Sequence, residues 1–188
     1  KVGHACRSIA ECITEAKADQ EAMTALMDAR LIAGDAGLFQ QFTTRFDQDC
    51  LQRAQQAFIA LRRKDLESRH NKHSRTVFLQ EPNIKEGCGG LRDIHSMRWV
   101  ARVKLGQPTV RKLVDADLLD PMALREIPEA EDFLHRVRND IHYHTQRAND
   151  ILTLQLQGVV ATNFQYPQRS MLRRTEAFMR DYYRHTRA

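Results

Sequence analysis

Residues 81–93 have the sequence Glu81-Pro-Asn-Ile-Lys-Glu-Gly-Cys-Gly-Gly-Leu-Arg-Asp93, and an apolar pattern of helical spacing follows from Ile94. Glycine permits positive φ and close approach of the backbone to another group. The N–H groups of such a loop, with a helix N-terminus behind it, can bind an anion, and Lys85 and Arg92 would add positive charge. The alternative is a tight turn that caps the helix, with Asp93 favourable near its N-terminus. The spacing leaves both interpretations open, because the loop has neither the Walker A nor the dinucleotide-binding pattern.

The rest of the chain shows helical periodicity and little strand signal. Apolar residues recur at helical spacing over residues 22–33, 46–61, 94–105, 133–151 and 171–183. Gly34 and Gly106 stand where glycine commonly ends a helix. We therefore predict an all-α helical bundle with a short non-helical or β segment at its start, over residues 2–8.

Composition narrows the class of protein and of partner. Lysine and arginine number 29 against 24 acids, a net charge of +5 that fits nucleotide phosphates, acidic proteins or nucleic acid. The basic stretch over residues 62–75 has few aromatic side chains that could stack bases, so nucleic acid is not the expected partner. Four cysteines without paired spacing indicate reduced thiols of a cytoplasmic protein. No apolar run reaches the roughly 18 residues that a membrane span needs.

Histidines and arginines are the remaining candidates for chemistry. His142 and His144 would lie on different faces of a helix, no HExxH motif is present, and we expect no bound metal in this chain. Arg138 and His142 are four residues apart and share a helix face, with Arg147 beyond them. They could form a basic edge that meets the Lys85 loop, or pair with Asp140 and Asp150 on the surface. The residues alone leave this choice open.

Several blocks of this sequence, in one order along nearly the whole chain, closely resemble the bacterial PII uridylyltransferase/uridylyl-removing enzyme family. The blocks are Val2–Ser8, Thr24–Asp35, Arg69-His70, Glu81–Gly87, Gly89–Arg102, Phe133–Arg138, His142, Arg147 and Glu176–His185. Cys88 departs from the pattern, since the family usually has proline there, and this makes the loop less rigid.

The resemblance implies a domain organisation. Residues 1–40 would be the C-terminal remnant of a nucleotidyltransferase core, and residues 41–188 the helical linker, or substrate-binding, domain. We expect the chain to be a piece of a longer protein. The Gly-Gly-Ser loop and Asp-x-Asp carboxylates of the family would lie upstream, and the phosphohydrolase and small-molecule-sensing domains downstream.

The resemblance also implies an activity and a set of site residues. The intact enzyme would use Mg²⁺ and UTP to transfer UMP to a tyrosine of the PII nitrogen-signalling protein, whereas this chain alone would be inactive and would bind neither. Asp19 is a weak candidate for an accessory catalytic carboxylate. The predicted nucleotide- or partner-binding residues are Lys85, Gly87, Gly89, Gly90, Arg92, Asp93, Arg138, His142 and Arg147. Arg92 could instead pair with an acid such as Glu81.

Two other functions remain open from the sequence. The chain could be a basic helical module that binds RNA or an acidic protein. It could also belong to a related nucleotidyltransferase with a different acceptor, because a linker domain does not name the substrate.

Overall fold

The computed structural model describes residues 4–187, and this part of the chain is all-α, as predicted. Its helices are α1 Ile9–Ala18, α2 Gln20–Met27, α3 Ala36–Phe46, the π-helical segment Asp47–Gln52, α4 Gln55–Lys72, α5 Leu91–Leu105, α6 Val110–Asp115, α7 Ala123–Thr145, α8 Leu154–Asn163 and α9 Met171–Thr186. The only β pairing within residues 4–187 is an isolated antiparallel bridge between Asn83 and Ile151. Residues 4–8 of the predicted first segment are non-helical, and Val2 and Gly3 lie outside the described residues.

Local sequence chemistry explains where many of these helices begin and end. Ser8 and Glu11 form a capping box at the start of α1, in which each side chain bonds the backbone N–H of the other residue. Thr153 and Ser170 cap α8 and α9 by accepting from backbone N–H groups of the first turn. Gly106 ends α5 in the left-handed conformation, with φ +75°, as the sequence predicts.

The buried apolar side chains form two cores. The C-terminal core contains Ile84, Leu91, Phe133, Leu134, Val137, Ile141, Leu152, Leu156, Val160, Ala161, Phe178, Met179 and Tyr182. The N-terminal core contains Ile13, Ala16, Met23, Met27, Phe46, Cys50, Leu51, Phe58, Trp99 and Val103. Burial of such apolar surface is the main favourable contribution to folding.

Helix α5 belongs to both cores. Leu91, at its first position, is buried in the C-terminal core, whereas Trp99 and Val103 are buried in the N-terminal core. The glycine-rich loop therefore leads directly into the helix that joins the two halves of the molecule. The N-terminal core also includes side chains from both sides of residue 40, and the predicted domain boundary there stays a prediction.

Several expectations about helix extent and burial are wrong in detail. The pattern over residues 46–61 covers the π-helical segment Asp47–Gln52 and the first part of α4 rather than one helix. The helix predicted over residues 22–33 ends at Met27, so Gly34 has positive φ but lies beyond the helix rather than at its stop. Helix α7 ends at Thr145, because Gln146 adopts the left-handed conformation, so the pattern that seemed to run to Ile151 is interrupted. Met171 begins α9 but is 58% exposed. Apolar periodicity alone therefore does not fix where a helix ends or which of its apolar residues are buried.

Within residues 4–187, no helix has both the length and the apolar character that a bilayer crossing requires.

Candidate functional site

The glycine-rich loop is attached to the chain segment that follows α7. Ile84 donates its backbone N–H to the carbonyl of Asp150 at 2.8 Å, and Leu152 donates to the carbonyl of Pro82 at 2.9 Å. Ile84 and Leu152 are both fully buried in the C-terminal core. The start of the loop is therefore held by paired backbone bonds and by the apolar side chains on either side of them.

Asn83 organises the turn that follows. Its Oδ1 accepts the N–H groups of Lys85 at 3.0 Å and Glu86 at 2.7 Å, and its carbonyl accepts the N–H of Gly87 at 2.9 Å. Such a pattern is how asparagine stabilises a turn through its own side chain. These amides are bonded inside the protein, so an anion at the loop would meet side chains rather than these N–H groups.

The three loop glycines are required by close packing. A Cβ on Gly87 would lie 2.5 Å from the Asn83 carbonyl oxygen, and one on Gly90 would lie 2.7 Å from the Ile84 oxygen. Gly89 has φ +69°, and its Cβ would lie only 1.8 Å from the Thr186 carbonyl oxygen at the end of α9. The glycines thus let the loop pack against itself and against α9.

Asp93 closes the loop onto α4. Its carboxylate accepts the N–H of Gly89 at 2.8 Å and lies 2.8 Å from Arg69 Nη2 and 2.9 Å from His70 Nε2. Arg69 is 7% exposed, and its Nη1 also donates to the Glu86 carbonyl at 3.3 Å. A carboxylate in the first turn of α5 is also favoured by the helix dipole. The loop thus forms a capping turn before α5, as the second interpretation of its sequence predicts.

Glu86 is the common partner of the two loop cations. Its Oε1 lies 3.6 Å from Lys85 Nζ and 3.3 Å from Arg92 Nη2, and the Arg92 guanidinium also lies 5.6 Å from the centre of the Trp99 ring. The Lys85 and Arg92 side chains are 32% and 27% exposed. Both cations therefore remain accessible to a ligand that can compete with Glu86.

The suggested pairing of Arg92 with Glu81 is wrong. Glu81 instead accepts the N–H of Leu154 at 2.9 Å, at the N-terminus of α8. There its negative charge complements the unpaired N–H groups of the first helical turn. Arg92 instead pairs with Glu86, which belongs to the same loop.

Arg138 and His142 converge on Asp150. Arg138 Nε donates to Asp150 Oδ1 at 2.7 Å, and His142 Nε2 lies 3.1 Å from the same oxygen. Burial raises the pKa of Asp150, but the hydrogen bonds from Arg138 and His142 and the charges of Arg138 and Lys85 outweigh it, so the pKa lies below its ordinary value. Arg138 and His142 thus pair with Asp150, one of the two acids that the sequence offered, whereas Asp140 accepts from Asn163. Because the Asp150 carbonyl bonds Ile84, this pair also lies beside the loop, and the binding role of the basic edge stays a prediction.

Arg147 and Asp19 lie apart from this arrangement. Arg147 follows the end of α7 and is exposed, and no hydrogen bond or ion pair within residues 4–187 joins its side chain to Asp150. Asp19 is exposed between α1 and α2, where its Oδ2 accepts the N–H of Ala22 at 2.8 Å. Asp19 therefore caps a helix in the N-terminal half, and its catalytic role stays a prediction.

Of the acids at the centre of the site, the sequence offered Asp150 as one possible partner of the basic edge, and it did not single out Glu86. Glu86 and Asp150 are each surrounded by basic side chains, and Arg69 and His70 complete the set around Asp93. The four-residue spacing of Arg138 and His142 was the one usable signal, since it predicts a shared face. The carboxylate that both of them meet belongs to Asp150, in the segment that follows α7.

Comparison with known proteins assigns the chain to a family. The model of the family described as GlnD PII-uridylyltransferase matches residues 57–188. Proteins named bifunctional uridylyltransferase/uridylyl-removing enzyme are 36% identical over 183 residues in Rhodopseudomonas palustris and 34% identical over 182 residues in Nitrobacter hamburgensis. Each match covers 97% of this chain and 20% of the relative, so the chain spans about a fifth of their length. No solved structure matches this chain. Because the family model matches well over half of the chain, the chain belongs to the GlnD PII-uridylyltransferase family.

Proposed function

We propose that this chain is the central region of an enzyme that transfers UMP from UTP to a tyrosine of the PII signalling protein. The observation that carries the proposal is the family model matched over residues 57–188. The names of the relatives support a uridylyltransferase activity for the whole protein. Residues 1–40 would complete the nucleotidyltransferase core, and the helices after them would form the linker domain.

The carboxylates of the candidate site do not fit a Mg²⁺ site. Asp93 faces Arg69 and His70, Asp150 faces Arg138, and among residues 4–187 neither carboxylate belongs to a cluster of three potential metal ligands. Nucleotidyl transfer needs carboxylates that can bind divalent ions beside the triphosphate. Mg²⁺ would therefore be held by the part of the enzyme that the family places upstream of this chain.

The contribution of this chain would be electrostatic positioning. Lys85 and Arg92 share one carboxylate, that of Glu86, and both remain partly exposed. They can exchange that carboxylate for a phosphate of UTP or for an acidic group of PII, because charge-assisted bonds to either have similar strength. Asp150, with Arg138 and His142 bound to its carboxylate, would hold the loop in place for this exchange.

Single substitutions in the full-length enzyme test this role. We expect Lys85→Ala and Arg92→Ala to reduce PII uridylylation at least about tenfold, which corresponds to about 1.4 kcal/mol of transition-state stabilisation. The melting temperatures should change little, since partly exposed ion pairs contribute only about 0–1 kcal/mol. Lys104→Ala is the matched control, because Lys104 is an exposed cation on α5.

The opposite pattern would identify the loop as a purely structural element. A large fall in melting temperature with Arg92→Ala, together with unchanged uridylylation by Lys85→Ala, contradicts the positioning role. Such a result would leave the family assignment intact, because that assignment rests on the sequence match.

A further inference from the structure

Three potential metal ligands converge between α5 and α7, on side chains that the candidate site does not use. They are His95 of α5 and Glu131 and His135 of α7, and one ligand atom from each lies within 4.8 Å of the others. Glu131 and His135 are four residues apart, so they share one face of α7. All three side chains are partly buried.

The donor set points to a particular class of cation. Two imidazoles and one carboxylate make up the protein ligands of many three-ligand zinc sites, which leave a fourth position for water or another ligand. Calcium and magnesium prefer oxygen ligands, whereas imidazole suits zinc and its transition-metal neighbours. The ring centres of His95 and His135 are 6.4 Å apart and the rings are tilted by 37°, so the two rings do not stack face to face.

Arg98 orients the carboxylate of this cluster. Its two terminal nitrogens donate to the two Glu131 oxygens, one each, at 2.5 Å. An ionised carboxylate has about four acceptor positions, so each oxygen retains one that can bind a metal. Hydrogen bonds of this kind commonly hold metal-binding carboxylates in place. The charge of Arg98 opposes a cation, and so does that of Arg92, whose charge also acts on His95.

We propose that His95, Glu131 and His135 form a binding site for one divalent transition-metal ion of the zinc type, which links α5 to α7. The site differs from the sequence-based expectation of no metal in this chain, which considered only histidines close to each other along the sequence. It does not depend on the uridylyltransferase assignment. Because α5 carries Arg92 and α7 carries Arg138, a bound ion would stabilise the relative position of the helices that hold the candidate site.

Cobalt provides a direct spectroscopic test on the purified chain after removal of metals by dialysis against a chelator. We expect one equivalent of Co²⁺ to produce visible absorption bands typical of four- or five-coordinate cobalt with nitrogen ligands, and Zn²⁺ to displace it. Zn²⁺ should also raise the melting temperature in a concentration-dependent way, because a ligand that binds only the folded state stabilises it. A wild-type chain that shows only the weak spectrum of hydrated Co²⁺ overturns the proposal.

Substitutions locate the ion. We expect His95→Gln and His135→Gln each to weaken Co²⁺ binding by more than about tenfold, since even outer-shell partners of metal ligands contribute that much. His144→Gln is the matched control, because His144 lies on α7 but is exposed and outside the cluster. Equal binding by wild type and both cluster variants, or an equal loss with His144→Gln, places the ion elsewhere and contradicts the proposal. Helical circular dichroism of each variant confirms that it is folded.

Discussion

At the scale of single residues, the glycine-rich loop depends on what lies next to each glycine. Gly89 combines φ +69° with an approach to the Thr186 carbonyl that leaves no room for a side chain. Gly106 has a similar φ of +75°, but a Cβ there would meet nothing within 4 Å. The two positions therefore separate the cost of backbone conformation from the cost of collision.

Alanine at these two glycines should give different losses of stability. We expect Gly106→Ala to lower the free energy of unfolding by about 1–2 kcal/mol, the usual cost of a left-handed conformation for an L-residue. Gly89→Ala should lower it by at least about 2 kcal/mol more, because the end of α9 must move. Urea denaturation of the two variants measures both values. Equal losses would show that α9 does not need the loop in its present place.

Asp150 gives a prediction with a defined pH dependence. Its pKa is lower in the folded protein than in the unfolded chain, so its ionised form contributes stability above the unfolded pKa of about 3.9. This contribution is lost as pH falls through the lower, folded-state pKa. Asp150→Asn should therefore cost about 1–3 kcal/mol near pH 7, and the difference from wild type should shrink in acid.

Asp132, which lies on α7 as Arg138 does, serves as the control for the effect of Asp150→Asn. Asp132 pairs with Arg136 across one turn of α7, and its side chain is 72% exposed. Asp132→Asn should change the free energy of unfolding by no more than about 0.5 kcal/mol, both near pH 7 and in acid. If Asp150→Asn behaves in the same way, the contacts with Arg138 and His142 do not hold the loop.

At the scale of elements, α9 shows how one helix face supports the C-terminal core. Phe178 and Tyr182 are four residues apart and are 0% and 2% exposed. Phe178 lies near the rings of Phe133, Phe164 and Tyr166, at centroid distances of 5.9–6.3 Å. Aromatic contacts of this kind add to the stabilisation from area burial.

Truncation of this face should be costly. We expect Phe178→Ala to lower the free energy of unfolding by about 3–5 kcal/mol, because it removes a fully buried ring and leaves a cavity. Leu172→Ala is the control, since Leu172 lies in the first turn of the same helix but is 69% exposed, and its loss should stay below about 0.5 kcal/mol. Denaturant unfolding compares the two. A Phe178→Ala loss below about 1 kcal/mol contradicts the role of this face in the core.

At the scale of the whole molecule, the two cores meet along α5. Trp99 donates to Asp28 at 3.1 Å, and Arg102 bonds both Asp47 and the Met27 carbonyl, so α5 is tied to the N-terminal half. Arg98 ties it to Glu131 of α7 in the C-terminal half. These long-range bonds, together with the buried face of α5, connect the parts of the chain into one structure.

This architecture predicts a stable but inactive protein. The purified chain should show a mainly helical circular-dichroism spectrum and should not uridylylate PII in the presence of UTP and Mg²⁺. The physical reason is that its acids at the candidate site are paired with cations, so it lacks free carboxylates there for metal ions. A uridylylation assay with radiolabelled UTP checks this. Measurable transfer by the chain alone contradicts the prediction.

Local chemistry explains what could be predicted from the sequence. The all-α class, the stop at Gly106 and the buried face of α9 follow from spacing and capping, which involve residues within a few turns of each other. The helical pattern after residue 93 was also correct, although α5 begins earlier, at Leu91. Helices α1, α3, α6 and α8 were not predicted.

The candidate site was only partly predictable, because local spacing and capping do not determine which side chains meet in the folded protein. The sequence by itself determined the turn chemistry of residues 81–93, the family and the shared face of Arg138 and His142. Only the tertiary structure decided that Glu86 pairs with Arg92, that Asp150 meets Arg138, and that Gly89 packs against the end of α9. Gly89 and Thr186 are far apart in the chain, whereas Glu86 and Arg92 are 6 residues apart and Arg138 and Asp150 are 12 residues apart. All three contacts depend on how the loops and helices assemble rather than on the local periodic pattern of residues.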